Sequence, residues 1–151
     1  MSQAAQFLET LSKVRVVRVS AQSKKGGGDG NYAGAGSVQV HRQDDFCLEI
    51  IEGGVGGGVQ ESSPPLRFSN HLRWSIHSES CLQFERMRTG AESVVLRLQV
   101  GDDGVWRTLN PHLCGADLYE VTAEARVGEI LVTWKILGPQ KAHLVLFEYK
   151  T

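Results

Sequence analysis

The side chains best suited to chemistry lie in the C-terminal third of the chain. His112 and Cys114 are two residues apart, and so are Asp117 and Tyr119. On a β-strand, residues two apart point to the same face, so each pair can share one side of a strand. Such a cluster could hold a metal ion, activate a thiolate nucleophile, or form hydrogen bonds to a small molecule. A buried polar network with a purely structural role explains the same pattern.

Metal binding and thiol catalysis have the weaker support. The spacing lacks the paired C-x-x-C or H-x-x-x-H pattern of a strong metal site, so we assign no metal and no cofactor. Thiol catalysis by Cys114 with His112 as base also needs an oxyanion donor and a lowered thiol pKa, and the sequence indicates neither. We therefore assign no catalytic residue and favour a protein that is not an enzyme.

Ligand binding is the leading interpretation of these residues. Lys141, beside a Gly138-Pro139 turn, could reach an anionic ligand, although an ordinary surface lysine is the somewhat simpler interpretation. The candidate ligand-binding residues are His112, Cys114, Asp117, Tyr119, Trp134, Lys141, Arg73 and Glu52. The ligand that suits them is small and partly apolar or anionic.

The elements that must position these residues are mostly β-strands. One short helix is predicted at the start, where Ser2 can cap it and Phe7, Leu8 and Leu11 share one face. Period-two segments rich in Val, Ile, Leu and aromatic residues then follow at 13–20, 35–42, 45–52, 66–77, 81–87, 93–100, 105–109, 129–137 and 143–150. Segment 110–126 fits either a helix or a strand.

Short strands at near-regular spacing predict an all-β fold. We expect an antiparallel up-and-down β-barrel of about eight or nine strands, because closure removes exposed sheet edges. In β-segment 66–77, Arg73 shares a face with Ser75 and His77, opposite Leu72 and Trp74. Either face could line the barrel interior, and a solvated face is the simpler reading for Arg73.

Length and charge exclude several classes of protein. The 151 residues fit one domain, and 41% hydrophobic with 22% charged residues is typical of a globular chain. A formal net charge of -1 argues against a dedicated nucleic-acid binder. The longest apolar run, 144–147, is far below the roughly 20 residues of a membrane-spanning helix, so no membrane association is expected.

The cysteines and the basic N-terminus bear on location. Three widely spaced cysteines suit reduced thiols better than a disulfide framework, which predicts an intracellular and most simply cytoplasmic protein. Residues 1–28 hold five basic residues against Glu9 alone, a bias that is also compatible with organelle import.

Glycine is the one residue in excess, with 17 in the chain. Most lie in two patches, which we interpret as Gly-rich loops at 24–34 and 53–65 of a single barrel domain, 1–151. The letters from Gly28 to Ala33 match a G-x-G-x-x-A dinucleotide motif, but a predicted strand follows instead of a helix. No dinucleotide site is therefore predicted.

Two linked motifs give the chain a family resemblance. The pattern H-x-C-x-x-D-x-Y from His112, followed by W-x-x-x-G-P-x-K from Trp134, resembles a family of small uncharacterised proteins with a domain of unknown function, found in bacteria and some eukaryotes. The resemblance implies a lipocalin-like barrel and no established activity. Its characteristic residues would be His112, Cys114, Asp117, Tyr119, Trp134, Gly138, Pro139 and Lys141. The chain departs from the pattern at Ala142, where an acidic residue is expected.

Three functions remain open at this point. The first is a non-enzymatic barrel that binds a small molecule. The second is a structural or protein-interaction subunit with a filled barrel. The third is an enzyme or metal-binding protein that uses His112 and Cys114. A cavity of about 300 Å³ or more would favour the first.

Overall fold

The computed structural model describes residues 1–23, 31–58, 64–88 and 93–151. It contains one helix and eleven strands within these ranges. The elements are α1 (Gln3–Ser12), β1 (Val16–Ser23), β2 (Tyr32–Asp44), β3 (Cys47–Gly58), β4 (Leu66–Ser78), β5 (Cys81–Met87), β6 (Val94–Val100), β7 (Val105–Thr108), β8 (His112–Cys114), β9 (Asp117–Arg126), β10 (Glu129–Leu137) and β11 (Ala142–Lys150). None of the described helices is long and apolar enough to cross a lipid bilayer.

Ten of these strands form a closed antiparallel barrel. Each of β1 to β6 pairs with the next strand, β7 pairs with β9, and the sheet continues through β10 and β11. Pairing of β11 with β1 over the whole of Val16–Ser23 closes the barrel. The remaining strand, β8, pairs with the first residues of β9. Closure leaves the barrel without the open sheet edges that would invite pairing with another chain.

The predicted all-β barrel and its N-terminal helix are confirmed, but the predicted count of eight or nine strands is wrong. All nine predicted segments overlap strands, and the two additional strands, β8 and β9, come from the ambiguous segment 110–126. Gly115, at φ 63°, forms the turn between them. Ala123 and its neighbours favour helix locally, yet β9 pairs with β10 from Glu129 to Leu137, and this pairing decides the structure.

Helix α1 closes one end of the barrel. The Ser2 side chain caps it by accepting a hydrogen bond from the Ala5 amide at 3.1 Å. Phe7, Leu8 and Leu11 are almost completely buried. The Phe7 ring lies 5.1 Å from the Trp74 ring, which fixes the helix against the core.

Parts of both predicted Gly-rich loops are strands in the structure. Residues Gly53 to Gly58 continue β3 and pair with β2, and β2 itself begins at Tyr32, so neither 32–34 nor 53–58 is a loop. A Cβ at Gly36 would collide with the Gly53 carbonyl group, and one at Gly54 with that of Ala35. Glycine is needed here because the two strands approach too closely for a side chain. Residues 24–30 and 59–63 of the predicted loops lie outside the described residues.

Candidate ligand-binding cavity

A cavity of about 500 Å³ occupies the interior of the barrel at the end opposite α1. It lies where β1, β10 and β5 end and where β2, β4 and β11 begin. Its walls are largely apolar and aromatic, with a few polar groups. The lining residues are Val19, Ala21, Tyr32, Glu52, Arg67, Phe68, Ser69, Asn70, Leu72, Arg86, Trp134, Ile136, Val145, Phe147 and Tyr149.

Glycines make room for an aromatic wall of this cavity. A Cβ atom at Gly34 or at Gly56 would collide with the Tyr32 ring, so the two glycines leave the space that this ring occupies. Its hydroxyl donates a hydrogen bond to the Leu66 carbonyl oxygen at 3.0 Å. The ring also meets Phe68 edge to face, with centroids 6.4 Å apart. The inward-facing glycines of β2 and β3 thereby position one side of the cavity.

Glu52 is the buried acid of the cavity. Its side chain continues the inward face of β3 after Leu48 and Ile50, and the residue is only 1% exposed. The Tyr149 hydroxyl donates a hydrogen bond to Glu52 Oε1 at 2.6 Å. Glu52 Oε2 is buried and has no hydrogen-bond partner. An unpaired oxygen of this kind is costly unless something else occupies the cavity.

Burial controls the ionisation of this pair. Loss of hydration raises the pKa of Glu52 to about 7, against the opposing effects of the Tyr149 hydrogen bond and the Arg86 charge. Burial, and then the Glu52 charge, raise the pKa of Tyr149 well above its usual value. At neutral pH the phenol is therefore neutral, and the carboxyl exchanges between its protonated and ionised forms.

Arg86 brings a positive charge to the same cavity. Its side chain continues the inward face of β5 after Leu82 and Phe84. Burial, and then repulsion by Arg88, lower the pKa of Arg86, but a guanidinium remains charged under all ordinary conditions. No hydrogen bond or ion pair of the described residues involves the Arg86 guanidinium. This cation is therefore available to a ligand.

Two of the residues predicted from the sequence, Glu52 and Trp134, line the cavity. Tyr119 lies just beyond it, buried, with its ring 6.2 Å from that of Trp134 and at right angles to it. The His112 ring meets the Tyr119 ring edge to face, with centroids 6.2 Å apart. Tyr119 and His112 thus hold Trp134 in place and do not reach the cavity themselves.

The rest of the predicted C-terminal cluster lies at the rim of the barrel. Lys141 Nζ and Asp117 Oδ2 form an ion pair at 3.4 Å, and both lie beside the turn that joins β10 to β11. A side chain at Gly138 would collide with the Asp117 carboxylate, so glycine at this position makes the ion pair possible. This part of the motif therefore lies at the turn and not in the cavity, and Cys114 is exposed to solvent.

Arg73 does not face the interior. Leu72 and Trp74 are buried in the core, which places the alternating Arg73 on the outer face of the barrel. There it forms ion pairs with Glu49 at 2.9 Å and Glu85 at 3.6 Å. The sequence left the choice of face open, and apolar burial decides it against Arg73 as a cavity residue.

Comparison with known protein families finds one that the chain matches. Residues 13–151 match the pattern of the family of unknown function DUF6314. The chain belongs to this family. The predicted resemblance to a family of unknown function is therefore confirmed. No curated protein matches the chain.

Three solved structures are similar to this chain. The S-type phycobiliprotein lyase CPES from Guillardia theta is 13% identical, with a TM-score of 0.65 over 99% of this chain and 92% of that one. EF1p2_mFAP2b bound to DFHBI is 9% identical, with a TM-score of 0.47 over 100% and 99%. A de novo designed fluorescence-activating β-barrel is 14% identical, with a TM-score of 0.45 over 99% and 100%. At these identities, the likeness to CPES shows the fold alone.

The thiol and metal hypotheses gain no support from this geometry. The hydrogen bonds of the described residues include none between His112 and Cys114. Within residues 1–23, 31–58, 64–88 and 93–151, no three His, Cys, Asp or Glu side chains are grouped to hold a metal ion. These observations leave the interior cavity as the candidate site of this family member.

Sequence reasoning missed Arg86 and Tyr149. Arg86 follows Leu82 and Phe84 on one face of a strand, and Tyr149 follows Phe147 in the same way. A charged or hydroxyl-bearing residue that continues an apolar face is the signal that could have identified both, as it also identifies Glu52.

Proposed function

We propose that this protein is a non-enzymatic barrel that binds one small, partly apolar molecule in its interior cavity. The observation that carries the proposal is the buried Glu52 carboxyl, which faces this cavity with one oxygen unpaired. Buried polar atoms normally have partners, so an unpaired one in a cavity is suited to a ligand. The cavity volume of about 500 Å³ lies within the range of roughly 300–1,000 Å³ usual for small-molecule sites.

The polar anchors in this proposal differ from those expected from the sequence. We assign the anchoring role to Glu52 and Arg86, because both line the cavity. Trp134 supplies an apolar wall, and Tyr119 and His112 support it from behind. Of the sequence hypotheses, the cavity favours small-molecule binding over an interaction subunit with a filled barrel.

A neutral fluorescent probe tests the proposal. N-phenyl-1-naphthylamine becomes brighter when it leaves water for an apolar cavity, and it carries no charge that would bind to surface groups. We expect saturable binding of one molecule per chain. Ala21→Trp places an indole in the cavity and should weaken this binding at least about tenfold, the effect of roughly 1.4 kcal/mol.

Ala35→Trp is the matched control. Ala35 is exposed on the outer face of β2, so the same substitution there leaves the cavity open. Far-UV circular dichroism and thermal unfolding establish that both variants are folded. Failure of the probe to bind, or equal binding by the two folded variants, would contradict the proposal. Native mass spectrometry of protein purified from its own source then identifies any molecule that co-purifies.

A further inference from the structure

The positive charge that faces into the cavity is that of Arg86, and the acid among the lining residues is Glu52. Arg67 also borders the cavity, but it alternates with Phe68 on β4 and is exposed on the outer face. Arg88 lies close enough to Arg86 to repel it. When Glu52 is protonated, the cavity therefore holds uncompensated positive charge in apolar surroundings. Such a site attracts an anion and repels an amine.

The hydrogen-bonding groups specify the anion more closely. A guanidinium donates in a planar fork that matches a carboxylate group. Glu52 Oε1 already accepts from Tyr149, which leaves Oε2 to carry the proton of the neutral acid and donate it. A carboxylate beside both groups would accept from Arg86 and from Glu52 Oε2, so the unpaired oxygen and the unpaired cation would both find a partner.

We propose that the ligand carries a carboxylate group, which binds between Arg86 and Glu52 Oε2, while its apolar part lies against Trp134 and Phe68. This inference rests on the proposed function and adds the chemical class of the ligand. An amine would face Arg86 with like charge. A neutral alcohol would leave the Arg86 charge uncompensated.

Binding of such a ligand depends on pH through Glu52. The titratable groups that face the Glu52 carboxyl across the cavity are Tyr149 from β11, Arg86 from β5 and Tyr32 from β2. The tyrosines stay neutral and Arg86 stays charged between pH 6 and 8.5, so Glu52 is the group of this set that titrates. Ionised Glu52 would repel the ligand carboxylate, which weakens binding as the pH rises.

Three naphthalene compounds of nearly equal size test the ligand class. They are 2-naphthoate, 2-naphthalenemethanol and 2-naphthylmethylammonium, measured by isothermal titration calorimetry at pH 6. We expect 2-naphthoate to bind at least about tenfold more tightly than the alcohol, since hydrogen bonds to charged groups contribute roughly 1.5–3 kcal/mol. The ammonium compound should bind most weakly. Equal affinities, or a preference for the ammonium compound, would overturn the proposed class.

Variants at Arg86 test where the ligand carboxylate binds. Arg86→Met keeps an apolar stem without the charge and should weaken 2-naphthoate binding about tenfold or more. Arg18→Met, on the exposed outer face of β1, is the matched control and should leave it unchanged. If Arg86→Met fails to fold, Arg86→Lys tests the same point, because the lysine keeps the charge but loses the planar fork. Unchanged 2-naphthoate affinity in the folded Arg86 variant would overturn the assignment.

The pH dependence provides an independent test. For the unmodified protein, 2-naphthoate affinity should fall about tenfold between pH 6 and pH 8.5 as Glu52 ionises. Glu52→Gln keeps a neutral donor at this position and should bind 2-naphthoate with no such dependence. A pH dependence that persists in Glu52→Gln would show that another group is responsible and would overturn the role of Glu52.

Binding of N-phenyl-1-naphthylamine distinguishes the two proposals. The neutral probe should bind in the cavity of the unmodified protein whatever the class of the natural ligand, since it makes no use of the charge. If the neutral probe binds in the cavity but 2-naphthoate shows no preference, the ligand class is wrong and the proposed function stands. If neither binds, both proposals fail.

Discussion

Replacing Glu52 with glutamine should change how the stability of the barrel depends on pH. In the unfolded chain the carboxyl group titrates near its ordinary pKa of 4.5, and in the folded barrel burial raises this pKa to about 7. Between these values the folded state binds more protons than the unfolded state, so stability decreases as the pH rises. Glutamine stays neutral at every pH, which removes this contribution.

The size of the effect follows from the two pKa values. A rise from 4.5 to about 7, at about 1.4 kcal/mol for each pH unit, corresponds to about 3 kcal/mol of free energy of unfolding. Below pH 4.5 both states hold a protonated Glu52, and this contribution is fully present. It is lost as the pH rises to about 7 and stays lost above that value.

Urea unfolding at a series of pH values measures the effect. The quantity to follow is the free energy of unfolding of Glu52→Gln minus that of the unmodified protein, because other titrating groups cancel in the difference. This difference should rise by about 3 kcal/mol between pH 4.5 and pH 8. Any cost of the buried amide group adds a constant and leaves the slope unchanged.

Glu49→Gln is the matched control from the same strand. The hydrogen bond from Arg73 lowers the pKa of Glu49, and His71 acts in the same direction. Its contribution to stability is therefore present above the unfolded pKa and lost as the pH falls through the folded pKa. The stability difference for Glu49→Gln should thus stay nearly flat between pH 4.5 and pH 8 and change, with the opposite slope, below pH 4.5. A flat difference for Glu52→Gln, or one that falls with pH, would refute the reasoning about the buried carboxyl.

Two further substitutions test the architecture around the cavity. Gly36→Ala should destabilise the barrel by about 1–3 kcal/mol in urea unfolding, because its Cβ would collide with the backbone of β3. Gly57→Ala is the control. A Cβ there meets nothing within 4 Å, so this substitution should be neutral or slightly stabilising. Equal effects would contradict the close approach of β2 and β3. Phe7→Ala should lower the free energy of unfolding by about 3–5 kcal/mol, because the buried ring packs on two tryptophans. Gln3→Ala, on the exposed side of α1, should change the free energy of unfolding by no more than about 0.5 kcal/mol. A loss below about 1 kcal/mol for Phe7→Ala would show that α1 does not close the barrel as described.

Local patterns in the sequence predicted most of the strands. The alternation in Leu72 to Ile76, for example, depends only on neighbouring residues and on the two-residue period of an extended chain. Strand β9 was ambiguous because Ala123 to Ala125 favour helix. Its strand structure depends on pairing with β10. The helix or strand propensity of single residues does not include such a contact.

The candidate site was predicted only in part. Period two separates the two faces of a strand but does not say which face turns inward, so Arg73 and Glu52 entered the predicted site together. The barrel buries Glu52 and leaves Arg73 in surface ion pairs. The C-terminal motif drew attention to His112 and Cys114, whereas Trp134 is the characteristic residue of that motif that lines the cavity.

The sequence by itself determined the alternation of the strands, the amphipathic helix and the near-absence of net charge, since each is a property of local residue order or of composition. Tertiary structure alone decided that Glu52 meets Tyr149, 97 residues away in the chain. That contact exists because β11 pairs with β1 and closes the barrel. Closure also brings Arg86 to the same cavity as the buried Glu52 carboxyl. Only long-range pairing could create that arrangement, because nothing local links these three residues.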